Sequence, residues 1–283
     1  MSPVALVLVL VAAVCHASWN LLSKQAAKVD GLVFVWLVAA VASVVWLPVA
    51  AGFMLVAGTL PTWRDLGLIA VSTALHLGYF VTLQRGYGTG DLSVVYPVAR
   101  GTGPMLAGAF AIAFLHERPS PAGVAGIVLV GAGVFLMSGG GRASPPGVLW
   151  GLATGLFIAG YTIWDAQAVG ALAVPPLLLT FFGEAGRMLA LTPAALTRRA
   201  AVAAAWREHR ARVVGSAVLV PLSYLLVLFA FTMAPVSVVA PAREVSVLVA
   251  VLLGGRLLAE GHLARRLLAA GIILGGVVAI ALS

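Results

Sequence analysis

Charge is what this sequence has least of. Asp, Glu, Lys and Arg make up 9% of its 283 residues against 62% apolar, and the mean hydropathy is +1.09. A soluble domain carries about 25% charged residues, so that class is excluded and lipid tails must solvate most of the chain. Cysteine is almost missing as well. The lone Cys15 lies inside an apolar run, allows no intrachain disulfide and says nothing of a redox compartment. There is no GxxxxGK[ST], so no ATP-driven engine is encoded, and no HExxH or paired-cysteine spacing for a metal. No cofactor and no enzyme activity are expected. GYGTG from Gly86 resembles a dinucleotide loop by spelling only, because it joins two apolar spans rather than a strand and a helix. His116 with Glu117 is the one enzyme-like pair, and it reads better as a helix cap. No Lys or Arg precedes the first apolar run, so the start lacks the basic n-region of a signal peptide and reads as a retained span.

What the chain does have is apolar length. Hydropathy and helix breakers divide it into ten candidate spans at about 3–23, 32–57, 66–87, 92–115, 121–138, 147–168, 174–193, 213–233, 236–257 and 264–282. Each approaches the roughly 20 residues needed to cross about 30 Å of hydrocarbon. Backbone polar groups find no water there, which leaves the helix as the spanning form. The connection from Ala195 to Arg212, rich in Ala and Arg, is expected to be an amphipathic helix on the lipid surface.

The spans form two sets of five. VVYPVARG at Val94–Gly101 aligns with VVAPAREV at Val238–Val245, with Ser93 on Ser237 and Pro97 on Pro241 at an offset of 144. ASWN from Ala17 faces AGYT from Ala159 at 142, Leu115 and Glu117 match Leu258 and Glu260 at 143, and GIVLVG from Gly126 matches GIILGG from Gly271 at 145. Such a small drift points to duplication, with halves 1–141 and 142–283. An odd number of spans per unit turns the second copy upside down, as in secondary transporters with a midplane site. Loops after odd-numbered spans carry most of the Lys and Arg, while those after even-numbered spans carry only Arg64 and Arg118. The positive-inside rule then places both termini outside. It also explains the net charge of +8 without nucleic acid.

Arg100 and Arg243 are the leading site candidates. A charge at mid-bilayer depth costs about 2.5 kcal/mol or more and must face the bundle interior or a wet cavity. A guanidinium fork suits carboxylate or phosphate, so the substrate is expected to be anionic or zwitterionic; a structural ion pair is the alternative. Glu244 cannot face its neighbour Arg243 along a helix and is expected to pair with another helix. Pro97 and Pro241 loosen the helix beside each arginine, as a functional break or a packing kink. His16 and Asn20 share a face in the first span with Trp19 nearby. His16, His76 and Glu184 are candidates for coupling, although Glu184 has Arg187 one turn away to neutralise it. Tyr79, Tyr96, Tyr161 and Tyr224 are candidates to wall a cavity. Asp165 is placed nearer the membrane edge, within reach of solvent.

HASWN in the first span, YPVARGTGP entering the fourth and FLHERPSPAGVAGIVLVGAGV running into the fifth resemble the EamA-type members of the drug/metabolite transporter superfamily. The likeness spans the whole chain, and the HER stretch at His116–Arg118 is its most specific part. The resemblance implies an all-α fold of ten helices in two inverted repeats. It also implies a bacterial-type inner-membrane location and export of amino acids or other small metabolites. The substrate cavity it implies is lined by the first, third, fourth, sixth, eighth and ninth helices, which carry Trp19, Tyr79, Arg100, Tyr161, Tyr224 and Arg243 but not Glu184. The first span lacks the embedded glutamate of the small multidrug exporters. A branch associated with phosphonate metabolism shares HASWN and the paired arginines, so an aminophosphonate transporter is one alternative. A drug or lipid translocator with a mainly aromatic cavity is the other. Expected partners are a small-molecule substrate and membrane lipid, with no nucleic acid, in a monomer or homodimer.

Overall fold

The computed structural model describes the chain apart from residues 27–28, 90–91, 139–144, 247, 250–262 and 283. Among the described residues it is all helical: α1 (Pro3–Gln25), α2 (Gly31–Ala57), α3 (Trp63–Thr89), α4 (Leu92–Phe114), α5 (Pro121–Ser138), α6 (Pro145–Val169), α7 (Pro176–Leu196), α8 (Arg199–Phe231), α9 (Val236–Ala242) and α10 (Leu263–Ala281). Five of these, α1, α2, α3, α6 and α8, are long and apolar enough to cross a membrane, and α4, α5 and α10 contain shorter apolar stretches.

Local chemistry sets many of the boundaries. Asp30 accepts from the Leu32 and Val33 amides to start α2, which ends at Gly58 in the left-handed region (φ 61°). Thr62 and Asp65 bond reciprocally at the start of α3, as in a capping box. Prolines open α5, α6 and α7, where a missing N–H costs nothing.

The packing reverses that of a soluble bundle. On α1 the large residues Val4, Val7, Val11 and Val14 point outward, while Ala5, Val9, Ala12, Ala13 and Ala17 are buried. Lipid rewards the outward apolar stripe, and small inward residues let helix backbones approach. The principal pairings are α1 on α8, α3 on α6, α4 on α6, α2 on α7 and α8, and α5 on α10. Tryptophans tie several of these seams: Trp36 donates to Thr192, Trp46 to the Ala217 carbonyl and Trp164 to the Leu68 carbonyl.

Two expectations gain detail. Most of the basic segment 195–212 is a helix set off from the eighth span by a kink, as expected, but protein rather than lipid covers its buried face. Its first residues finish α7, and the rest runs into α8 through a kink at His209 (φ −126°, ψ 15°). Ala205 is buried in a cluster with Val33, Phe34, Leu37 and Val38 of α2, so protein covers that face. The ninth span is interrupted at Pro241, where the sequence marks a loosened helix. Pro241 lacks the N–H that would bond the Ser237 carbonyl, and α9 stops at Ala242. The chain then turns through Glu244 N–H to Pro241 O and Ser246 N–H to Arg243 O, both i to i−3 bonds of a tightened turn. The far end of that span lies outside the described residues.

The α5–α10 seam is the tightest crossing. A Cβ on Gly126 would sit 2.6 Å from the Gly276 carbonyl oxygen, where neither backbone can yield. Gly126→Ala should therefore cost about 1–3 kcal/mol, read as a lowered Tm in detergent. Gly52→Ala, which meets nothing within 4 Å, should leave Tm unchanged or slightly raised.

Candidate functional site

Glutamate 117 holds the N-terminus of α9. Its two carboxylate oxygens accept from the Val236 amide at 2.9 Å and the Ser237 amide at 2.8 Å. The N-cap residue of α9, Pro235, makes no side-chain cap bond, so a carboxylate from the turn after α4 takes that role. His116, beside it, sits in the left-handed region (φ 56°) and turns the chain so that Glu117 faces α9. The HER stretch is thus a cap delivered between helices.

About two helical turns beyond that cap, the interruption of α9 sets Glu244 against α4 and Arg243 against α8. Arg100 of α4 is 7% exposed and Glu244 3%. Arg100 Nε lies 3.4 Å from Glu244 Oε2, and Arg100 Nη2 is 3.2 Å from Ser246 Oγ and 3.3 Å from His16 Nε2. Glu244 therefore reaches another helix rather than its neighbour. Arg243 is half-buried, with its guanidinium 5.7 Å from the Tyr224 ring centroid, in cation–π range. His16, Arg100, Ser223, Arg243 and Ser246 line a small cavity with Ala12, Ala13 and Val227. It holds about 10 Å³, room for roughly one water, against about 300–1,000 Å³ for ligand pockets in general.

His16 receives two competing donors. Trp19 Nε1–H points at its Nδ1 at 3.3 Å while Arg100 approaches Nε2. A neutral imidazole has one acceptor nitrogen, so it satisfies one donor at a time. Asn20 instead bonds back to the His16 carbonyl at 2.8 Å, within its own helix.

Beside the cavity lies an aromatic cluster from α3, α6 and α8. His76 stacks on Tyr161 at 4.1 Å and meets Tyr224 edge-on at 5.3 Å, and Tyr79 meets Tyr161 edge-on at 5.9 Å. These four sequence candidates come together. Tyr96 lies on α4 one turn before Arg100, but its side chain is outside the described residues, as is that of Pro97. Glu184 stays apart, buried on α7 and paired with Arg187 one turn on.

Asp165 corrects the sequence reading. It is fully buried rather than solvated, and it accepts a short hydrogen bond from the Tyr224 hydroxyl. Its distance along the span gave no hint of this, because α8 and α3 close over it. Ser223 and Ser246 were also missed; a serine in an apolar run carries no signal until its neighbours are known.

Removing one partner of a buried ion pair leaves the other charge uncompensated, at about 3–5 kcal/mol. Glu244→Gln should thus lower stability more than the double change Glu244→Gln with Arg100→Met. Unfolding in detergent would report the difference. A double variant weaker than the sum of its singles would show that the pair is not a unit.

The comparisons with known proteins agree with this architecture. The model of the EamA-like transporter family matches residues 3–139. A solved crystal structure superposes with a TM-score of 0.77 at 17% identity, covering 100% of this chain and 98% of its own, which shows a shared fold. No curated protein matches the chain. The match across residues 3–139, nearly half of the chain, supports an EamA-type transporter of the drug/metabolite transporter superfamily, an integral membrane protein.

Proposed function

We infer that the protein moves a small anionic or zwitterionic metabolite, amino-acid-like in its charges, across the membrane by alternating access in the export direction. The observation that carries this reading is the charge arrangement around the cavity. Two guanidiniums, those of Arg100 and Arg243, line one small cavity, and the buried Glu244 carboxylate is paired with Arg100 beside it. Structural charge alone would be served by the Arg100–Glu244 pair, and Arg243 adds a cation without a matching acid in the cavity wall. A zwitterion fits by exchange: its carboxylate takes a guanidinium while its ammonium takes the Glu244 oxygens that Arg100 gives up.

Two five-helix repeats, 1–141 and 142–283, supply the rocking halves. Exchanging the first and sixth helices, and the third and eighth, turns the α1–α8 seam into the α6–α3 seam, and both seams are present. Arg100 and Glu244 occupy aligned positions of the two repeats, and aligned positions meet only near a pseudo-two-fold axis. We place the protein in a bacterial-type inner membrane with both termini outside, as a monomer or homodimer that binds no nucleic acid.

The aromatic cluster of His76, Tyr79, Tyr161 and Tyr224 favours a second reading, a drug or lipid translocator. Counterflow in proteoliposomes with a panel of amino acids and aminophosphonates separates the two. Arg100→Ala and Arg243→Ala should each lower counterflow at least about tenfold, the loss of one charge-assisted contact worth roughly 1.5–3 kcal/mol. If both variants transport like the parent, the arginines are not the anchor. Binding of lipophilic cations indifferent to both substitutions would establish the rival.

A further inference from the structure

Among the described residues the buried acids are Asp165, Glu184 and Glu244. Glu184 has Arg187 and Glu244 has Arg100, and the half-buried Glu117 has two backbone amides. Asp165 has 0% exposure and, among the described residues, no Lys or Arg within ion-pair distance. Its Oδ2 takes the Tyr224 hydroxyl, and its Oδ1 has no hydrogen-bond partner among the described residues. The group nearest to a counter-charge is His76, whose Nδ1 lies 4.0 Å away and 3.0 Å from the Ser72 carbonyl.

We propose that Asp165, with His76 at its side, is the proton-exchange site of this transporter, linked to the solute cavity through Tyr224. The groups facing it come from every packed element: Ser72 and His76 on α3, Tyr161 on its own α6, and Tyr224 on α8. Arg187 of α7 and Arg243 beyond α9 act on it from farther off. A carboxylate held dry without a contacting cation costs several kcal/mol, and a proton on Asp165 removes that cost. The proton moves between solvent and the carboxyl oxygen when the helices part, and no other bond forms or breaks.

The link to the cavity is a chain of two contacts. Tyr224 gives its hydroxyl to Asp165 and its ring face to Arg243, which lines the cavity. The positive charge of Arg243 supports a negative Asp165. An anionic group arriving at Arg243 cancels that support, so Asp165 takes up a proton as the solute binds. Solute and proton are then carried together. In a cell whose outside is acid, export along this route runs on the solute's own gradient.

The first arm of the test needs no solute. Infrared spectra of the purified protein across pH should show a protonated-carboxyl C=O band that bleaches on alkalinisation. Asp165→Asn should remove it, and Glu184→Gln should leave it. Tyr224→Phe, which keeps the ring and loses the donor, should move its midpoint if Asp165→Asn does not fold. A band that survives Asp165→Asn, or stays put in Tyr224→Phe, overturns the proposal.

The second arm rests on the transport reading above. In proteoliposomes with the amino-acid and aminophosphonate panel, Asp165→Asn should keep counterflow but lose at least about tenfold of the accumulation driven by a pH gradient. Gradient-driven accumulation equal to the parent's overturns the proposal. A parent without counterflow overturns the transport reading instead, and the infrared arm still decides the role of Asp165.

Discussion

The contact on which the centre of this protein depends is the ion pair between Arg100 and Glu244. Two charges at that depth are tolerable only together, so the helices that carry them must meet. That requirement accounts for the shape of α9. A straight helix would continue its ladder past Pro241, but the missing N–H releases the turn that sets Glu244 toward α4 and Arg243 toward Tyr224. Released backbone in a membrane is tolerated where protein covers it, and α9 is buried along its whole described length. Glu117 completes the arrangement by satisfying the first amides of the same short helix.

The helical class was legible because lipid leaves few choices. Apolar length, proline positions and the shortage of charge marked nearly every helix to within a few residues. The break at Pro241 was legible from the proline itself, but what covers the basic segment in the first part of α8 was not. That covering is decided by what packs alongside, α2 against the arm that holds Ala205. Hydropathy measures burial in an apolar medium and does not distinguish lipid from protein as the covering.

Site residues divided along similar lines. Arg100, Arg243 and Glu244 stand out because a buried charge is conspicuous in any apolar run, and the tyrosines of α3, α6 and α8 follow from helix identity. Asp165 was visible as an acid but placed wrongly, since its position near the end of a span suggested solvent. Depth along a helix and distance from water are different quantities in a bundle. Here the hydroxyl of Tyr224 and the rings of His76 and Tyr161 fill the space that water would occupy. Ser246 could be found only through Arg100, which reaches it across 146 positions of sequence.

The size of the cavity constrains how such a site can work. The space beside Arg100 and Arg243 has room for about one water, so under the transport reading helices separate before a metabolite enters. Separation by itself would strand Arg100 and Glu244 in a widening, poorly solvated gap. Under the transport reading a zwitterionic solute removes that penalty, because each charge it brings replaces the partner that leaves, and the number of buried charges in contact is conserved. A neutral solute of the same size gives no such compensation and would have to open the pair against its full attraction. The same exchange disfavours a lone anion, which would satisfy one arginine and leave Glu244 facing it. Selection for a solute with both charges can therefore arise from the energetics of opening as much as from fit in the open state.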